Sequence, residues 1–292
     1  MAPDIGIIPS VRYLILGESP SVPIESLDSL ALSLVHDSST SSSLCIGGSN
    51  ERYKDIVANI SGKRGVPDSQ LKRSGSTVAE EDYRFFDTFE LDLRKAGFTA
   101  YICRSQQEVT THKGEANREE RIVAVVQSPM VSGIQQPDYV LMLDNVDFDL
   151  AEPNDIAGFW KPLLGARQTA NVGELLMTVM KLSTSSEIFR YQTDDELKVQ
   201  IGIQEYTVKF PGQPHLYKLY EIEVRRIGVG EKVDVRTVCN YLGEAHGKYL
   251  LCAPELPWTK ALRLMRGEKL EVFGTAAEHG AEYLNHLLSG SQ

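Results

Sequence analysis

Short runs in which apolar and polar residues alternate recur along most of this chain. Alternation over four to eight residues predicts a half-buried β-strand, because successive side chains of a strand point to opposite faces. The runs with this pattern, bounded by turn-forming residues, are 11–16, 99–103, 121–127, 139–143, 197–210, 216–227 and 248–252. They predict an antiparallel, β-rich fold.

Helices are predicted where apolar residues recur at spacings of three and four. The segments with this spacing are 24–35, 89–96, 172–182 and 276–288. Helices and an antiparallel sheet in one chain predict the α+β class. No internal repeat is visible, and 292 residues with 42% hydrophobic content can bury a substantial core. We therefore expect one domain over residues 1–292.

Two polar stretches, 36–50 and 61–77, are rich in Ser and Gly and have little to bury. This composition predicts flexible surface loops. The second stretch places glycines beside cations such as Lys63 and Arg64, but its spacing does not match the phosphate-binding pattern GxxxxGK[ST]. A solvated loop is the prediction for both.

Net charge and the length of the apolar runs limit the classes of partner. A formal net charge of -10 opposes general attraction to nucleic acid, so an anion site must be a local cluster of Lys and Arg. No apolar run approaches the roughly twenty residues of a membrane span. The first residues lack the pattern of a secretory signal, and the four cysteines are far apart. We expect a cytoplasmic protein with reduced thiols, bound to neither nucleic acid nor membrane.

Four segments, in the same order, resemble the motifs of one known family. They are EEDYRFFDTFELDLRKAGFTAYICR at 80–104, TTHKGEANREER at 110–121, LYKLYEIEVRRIG at 216–228 and PELPWTKALRLM at 254–265. The chain resembles the CYTH, or triphosphate-tunnel, superfamily as a divergent member. Residues 128–187 are unmatched, and we expect a helical insertion or a diverged portion there.

The resemblance implies an antiparallel β-tunnel with flanking helices, whose charged lumen holds a phosphorylated small molecule and Mg²⁺ or Mn²⁺. In LYEIEVR the strand period places Glu221, Glu223 and Arg225 on one face. Two carboxylates spaced in this way can share a hard divalent cation. Glu221 and Glu223 are therefore candidate metal ligands and catalytic residues, and Arg225 is a candidate substrate contact. The alternative is a plain solvated sheet face.

Basic residues at the other motifs are candidates for phosphate contacts. Lys113 matches T-x-K-G and is the candidate that balances charge on a leaving group. Arg118 matches R-x-E and could hold phosphate oxygens bidentately. The alternative for both is an exposed hairpin with an ion-pair ladder. Arg190 matches a basic position that precedes the paired strands of the family, and Lys260 matches the late S-K position. The alternative for either is an ordinary surface residue.

Three departures from the family concern its functional set. No E-x-E-x-K occurs before residue 80, and Arg12 is the only charge in the first strand, VRYLILG. Tyr101 and Cys103 stand where two lumen arginines are usual, and Arg104, a further substrate-binding candidate, is one position out of phase. In KVQIGIQEYTV an acidic position of the family falls at Gly202 or Gln204, and the acid Glu205 is out of phase as well.

Two hypotheses of function follow. The first is a divalent-metal-assisted phosphohydrolase acting on a tri- or diphosphate, with nucleotide cyclisation as a lesser variant. The second is a repurposed tunnel that binds or converts a partly hydrophobic ligand, such as a prenyl diphosphate, without the usual metal site. A domain that uses only its exterior for protein interactions is a third reading. The residues leave the ligand and the oligomeric state open.

Overall fold

The strands and helices below come from a computed structural model. It describes residues 10–16, 43–45, 50–61, 72–110, 116–127, 139–143, 146–149, 176–193, 196–213, 216–226, 235–266, 268 and 270–289. The strands are β1 (Ser10–Ile15), β2 (Ser43–Cys45), β3 (Lys72–Asp87), β4 (Thr99–Thr110), β5 (Ala116–Gln127), β6 (Tyr139–Met142), β7 (Met177–Thr193), β8 (Glu196–Lys209), β9 (Leu216–Arg226), β10 (Leu250–Cys252) and β11 (Gly274–Thr275). The helices are α1 (Asn50–Ser61), α2 (Asp92–Lys95), α3 (Val235–His246), α4 (Pro257–Met265) and α5 (Ala276–Ser289), with a 3₁₀ turn at Gly247–Tyr249. No helix of the described residues is long and apolar enough to cross a membrane.

The chain divides into two compact units. The first comprises Met1–Val78, Ser185–Tyr206 and Tyr217–Gln292, and the second comprises Ala79–Thr184 and Thr207–Leu216. Residues of β3, β7 and β8 belong to both units. The prediction of a single domain over residues 1–292 stays a prediction.

The first unit carries the strand order β11-β10-β1-β9-β8-β7, with β2 beside β9. β1 pairs with β9 and β10 in antiparallel register. One face of this sheet packs against α1, α3 and α5 in an apolar core that includes Tyr13, Ile222, Ile56, Leu242 and Tyr283. The other face carries Arg12, Glu221 and Glu223. A charged face thus backs directly onto an apolar one, as the strand period requires.

The second unit carries the order β7-β3-β4-β5-β6. The pairs β3–β4, β4–β5 and β5–β6 are antiparallel. Its core lies on one face of this sheet and is formed by Phe86, Leu93, Phe98, Ala100, Ile102, Ala124, Val126 and Phe148. The predicted class, α+β with an antiparallel sheet and flanking helices, is confirmed.

Helix α2 lies within the motif segment 80–104, and its contacts show what the D-T at 87–88 and the A-G at 96–97 do. Asp87, at the end of β3, accepts hydrogen bonds at Oδ1 from the backbone N–H of Thr88 (2.7 Å) and of Leu93 (2.9 Å), and at Oδ2 from that of Arg94 (3.1 Å). The N–H groups of Leu93 and Arg94 belong to the first turn of α2, where backbone donors have no partner within the helix. Gly97 ends the helix with φ of 81°, a conformation that glycine adopts without a steric penalty. The D-T and A-G of this motif are therefore structural.

The structure corrects the helix predicted over 172–182, because the residues of that range from Met177 onward belong to β7. The described residues of 128–187 are 139–143, 146–149 and 176–187; they contain β6 and the first part of β7 and no helix, so the alternative of a diverged portion stays a prediction. Along β7 the buried Met180, Leu182 and Thr184 alternate with the exposed Lys181 and Ser183. That period of two outweighs the three-and-four spacing of the apolar residues around 172–182.

The two predicted loops are also corrected in part. Ser43–Cys45 form β2, and residues 72–77 belong to β3. Helix α1 was not predicted, although Tyr53, Ile56, Val57 and Ile60 have helical spacing, and Ile56 and Ile60 are fully buried. The helix predicted over 24–35 lies outside the described residues. The C-terminal helix is confirmed as α5.

Candidate functional site

Two buried carboxylates lie side by side on β9. Glu221 has no exposed surface and Glu223 is 6% exposed, while Tyr220, Ile222 and Val224 between and beside them enter the apolar core. The shared face of the two acids follows from the strand period, as predicted. A buried carboxylate needs a partner of opposite charge, and cations from three elements supply it.

Arg12 on β1 is the first of these cations. The β1–β9 register places Arg12 directly opposite Glu223. Its Nη2 donates to Oε1 of Glu223 at 2.6 Å, and its Nη1 lies 3.8 Å from Oε2 of Glu221. Burial acts to lower the pKa of Arg12, but the nearby charges, led by Glu223, outweigh it, so the pKa lies above the ordinary value. The guanidinium therefore stays charged.

The backbone of Arg12 is fixed by helix α5. The hydroxyl of Tyr283 donates to the carbonyl oxygen of Arg12 at 3.0 Å and accepts from its N–H at 3.3 Å. The same carbonyl accepts from the N–H of Ala253 at 3.2 Å. The ring of Tyr283 packs edge-on against Tyr13 in the core. Arg12 is thus held by the sheet on one side and by a core helix on the other.

Lys260 on α4 is the second cation. Its Nζ donates to Oε1 of Glu221 at 2.6 Å, and neither side chain has exposed surface. Pro257 begins α4, a position where its missing N–H costs nothing. Burial lowers the pKa of Lys260, and the opposing charge of Glu221 offsets part of that effect.

Arg225 and Tyr206 complete the arrangement. Arg225 donates from Nη2 to Oε1 of Glu223 at 2.9 Å, and its side chain is 46% exposed, so it forms the solvent side of the group. Tyr206 on β8 is buried close to Arg12 and hydrogen bonds to Gln204. Burial raises the pKa of Tyr206 well above its ordinary value, with the charge of Glu221 acting in the same direction. We call Arg12, Glu221, Glu223, Arg225 and Lys260 the charge cluster.

The donor set of the charge cluster does not fit a divalent metal. Three cations on two carboxylates leave one formal positive charge before any ion is added. Oε1 of Glu223 already accepts from two guanidinium groups, and Oε1 of Glu221 accepts from Lys260. Among the described residues, no group of three or more His, Cys, Asp or Glu side chains could hold a metal ion. Mg²⁺ or Mn²⁺ stays a prediction, and these contacts argue against it.

The remaining site residues predicted from the sequence are Arg104, Arg190, Arg118 and Lys113. Arg104 belongs to the second unit, where it pairs with Asp82 at 2.6 Å and stacks over the ring of Phe148, 4.7 Å from its centroid. Arg190 donates to Oγ1 of Thr77 at 2.6 Å in the first unit. Arg118 lies in β5 opposite Glu108 in the register of β4. Lys113 is not among the described residues.

Sequence reasoning brought Glu221, Glu223, Arg225 and Lys260 to one site but gave no role to Tyr206 or Tyr283. Tyr206 carried a usable signal, since it lies on β8 in phase with Gly202 and Gln204, where an acid was sought. Tyr283 gave none, because it reaches Arg12 across 271 residues of sequence. Glu205 was predicted to face away from the tunnel side of β8. It pairs with Lys218 at 2.7 Å. Lys218 shares its strand face with Tyr220, which lies in the core that packs against the helices.

No family model and no curated protein matches this chain. Solved structures do. A candidate adenylyl cyclase from Hippeastrum, described as having a dominant triphosphatase activity, is 12% identical, with 89% of this chain and 96% of that chain covered and a TM-score of 0.43. A candidate adenylate cyclase from Bacillus halodurans is 14% identical, with 67% and 84% covered and a TM-score of 0.37. A protein from Pyrococcus horikoshii is 11% identical, with 87% and 99% covered and a TM-score of 0.38. No conclusion about the family or function of this chain rests on these likenesses.

Proposed function

We propose that this chain binds a phosphate-bearing small molecule, a tri- or diphosphate, through the charge cluster of its first unit. The observation that carries the proposal is the excess of cations: among the described residues, Arg12, Lys260 and Arg225 form ion pairs with two carboxylates, Glu221 and Glu223. Glu255, whose charge also acts on Lys260, is itself paired with Arg263. Guanidinium groups match the geometry of phosphate oxygens and bind them bidentately, and the ammonium of Lys is a common phosphate partner. The net charge of the whole chain is negative, so this positive surplus is local.

Arg225 is the side chain that a ligand would meet first. It is the half-exposed member of the cluster, whereas Arg12 and Lys260 are buried behind it. Its bond to Glu223 holds the guanidinium in place and leaves its other nitrogens for phosphate oxygens. Leu14, which is buried, lies opposite Glu221 in the β1–β9 register, so an apolar side chain adjoins the charges. That neighbourhood favours a partly hydrophobic ligand such as a prenyl diphosphate.

The test is a calorimetric titration with tripolyphosphate, pyrophosphate, ATP and prenyl diphosphates in buffer with a chelator. We expect one of these to bind, and Arg225→Gln to weaken it about 10- to 100-fold, the value of a hydrogen bond to a charged group. Lys218→Gln is the matched control, because Lys218 is on the same strand but on its opposite face. The proposal fails if none of the compounds binds, or if the two variants weaken binding equally.

A second candidate is hydrolysis of the bound phosphate with help from Mg²⁺ or Mn²⁺. One observation favours it: Oε2 of Glu221 is buried and has no hydrogen-bond partner among the described residues. Phosphate release is measured with and without the two metals, for the wild type and for Glu223→Gln. Metal-dependent release that the substitution abolishes would establish this candidate. In the same assay, cyclisation of ATP would release pyrophosphate without orthophosphate.

A further inference from the structure

We propose that the guanidinium of Arg12 is a built-in cation that takes the place of a divalent metal between Glu221 and Glu223. The charge cluster then binds its ligand without a metal, and removing the guanidinium creates a metal site. The inference deepens the proposed function, but its metal titration needs no phosphate ligand. Its failure and the failure of phosphate binding are therefore separate results.

The contacts of Arg12 with both carboxylates are the first support. Its two terminal nitrogens face one acid each, Nη2 at 2.6 Å from Glu223 and Nη1 at 3.8 Å from Glu221. An ion shared by the two acids needs an oxygen from each of them. Oε2 of Glu221, which has no hydrogen-bond partner among the described residues, is the oxygen that faces Arg12. The guanidinium therefore lies on the side from which a shared ion would be held.

Charge is the second support. A divalent ion added to the cluster would raise its formal charge from one to three positive units, in a place where Glu221 and Lys260 have no exposed surface. Like charges held out of water repel strongly, because little solvent screens them. Arg12 cannot make room by losing its proton, since arginine stays charged in proteins. Metal binding would require Arg12 to leave.

The fixed position of Arg12 is the third support. Its backbone is paired with β9, bonded to Ala253 and bonded twice to the hydroxyl of Tyr283. The side chain starts from the point on β1 directly opposite Glu223 and is almost fully buried. Swinging away from the acids would leave both the guanidinium and Glu223 poorly paired in a buried place.

The first measurement is binding of Mn²⁺ alone to the wild type. Binding is monitored through the electron paramagnetic resonance signal of the Mn²⁺ that stays free. We expect no saturable site below about 1 mM, the weak limit of protein cation sites. A saturable wild-type site that Glu223→Gln removes overturns the proposal, whatever the variants do.

The second measurement uses Arg12→Glu, which replaces the guanidinium with a third carboxylate opposite Glu223. We expect one Mn²⁺ site at least tenfold tighter than any wild-type binding. Lys218→Gln removes a positive charge on the other face of β9 without placing a second carboxylate beside Glu205, and it should bind no Mn²⁺. If circular dichroism shows Arg12→Glu unfolded, Arg12→Met, which removes the charge and keeps the length, takes its place with the same expectation. A folded Arg12 variant without a Mn²⁺ site overturns the proposal.

Discussion

Lys260 and Glu221 form an ion pair that is closed off from water. Each charge lost its hydration on folding, and the other charge at 2.6 Å is its main compensation; Arg12 also attracts Glu221, and Glu255 also attracts Lys260. Such a pair adds little net stability compared with apolar residues of the same size. Breaking it by removing one partner is costly, because the other charge stays buried without its hydrogen-bonded partner of opposite sign.

We expect Lys260→Met to lower the free energy of unfolding by about 3–5 kcal/mol. The double variant Lys260→Met with Glu221→Leu should recover most of this loss, because no unpaired charge remains. Urea denaturation of the wild type, both single variants and the double variant measures the coupling between the two residues.

The matched control is Lys218→Met. Lys218 forms an ion pair with Glu205 at 2.7 Å, close to the 2.6 Å of the Lys260–Glu221 pair, but both of its side chains are partly exposed. Water screens this pair, so the loss should stay below about 1 kcal/mol. Equal losses at Lys260 and Lys218 would show that burial does not set the strength of the Glu221 pair.

At the scale of elements, the link from β3 through α2 to β4 depends on one carboxylate. Asp87 is 5% exposed and gathers three backbone donors with its two oxygens. Thr88 adds a side-chain bond to Asp92 at 2.8 Å. Because a four-residue helix has almost no internal hydrogen bonding of its own, these side-chain contacts determine where α2 begins.

Asp87→Ala should lower the free energy of unfolding by at least about 2 kcal/mol, since three buried backbone N–H groups lose their acceptor. Asp87→Asn keeps the Oδ1 position as an acceptor and should lose roughly half as much. Thermal and urea denaturation compare the two. Phosphate binding should survive in folded Asp87→Asn, because Asp87 belongs to the second unit and the charge cluster to the first.

At the scale of the whole molecule, each unit contains a buried thiol. Burial raises the pKa of Cys103 in the second unit, and that of Cys252 in the first unit, from 9.0 to about 12. A group whose pKa is higher in the folded state stabilises the fold fully below its unfolded pKa. That contribution is lost as the pH rises through the folded pKa.

We therefore expect the free energy of unfolding to fall as the pH rises from about 9 towards 12, because the unfolded thiols ionise first. The slope against pH should be smaller in Cys103→Ala and in Cys252→Ala, whatever their stability at pH 7. Urea denaturation at a series of pH values measures the slopes. A slope unchanged by both substitutions would assign the alkaline loss to other groups, such as the buried tyrosines.

The prediction from sequence succeeded where the evidence was local and failed where contacts compete. Most strands follow from alternation over a few residues, and the C-terminal helix follows from apolar residues at spacings of three and four. Residues 172–182 were predicted as a helix because their apolar spacing is ambiguous, and the pairing of β7 with its neighbours decided for a strand. In the same way, a helix was predicted over 89–96, where α2 lies, but the sequence did not show that Asp87 accepts hydrogen bonds from the backbone there.

For the charge cluster, the sequence by itself determined that Glu221, Glu223 and Arg225 share a face, because strand period is a property of a short segment. It also showed that β1 carries a single charge, Arg12. Only the tertiary structure decided that this charge lies against the two acids, from 211 residues away, and that Lys260 closes the other side. Which residues share a strand face is fixed by neighbours in the chain, but which charges neutralise each other is fixed by the register of strands that are distant in sequence.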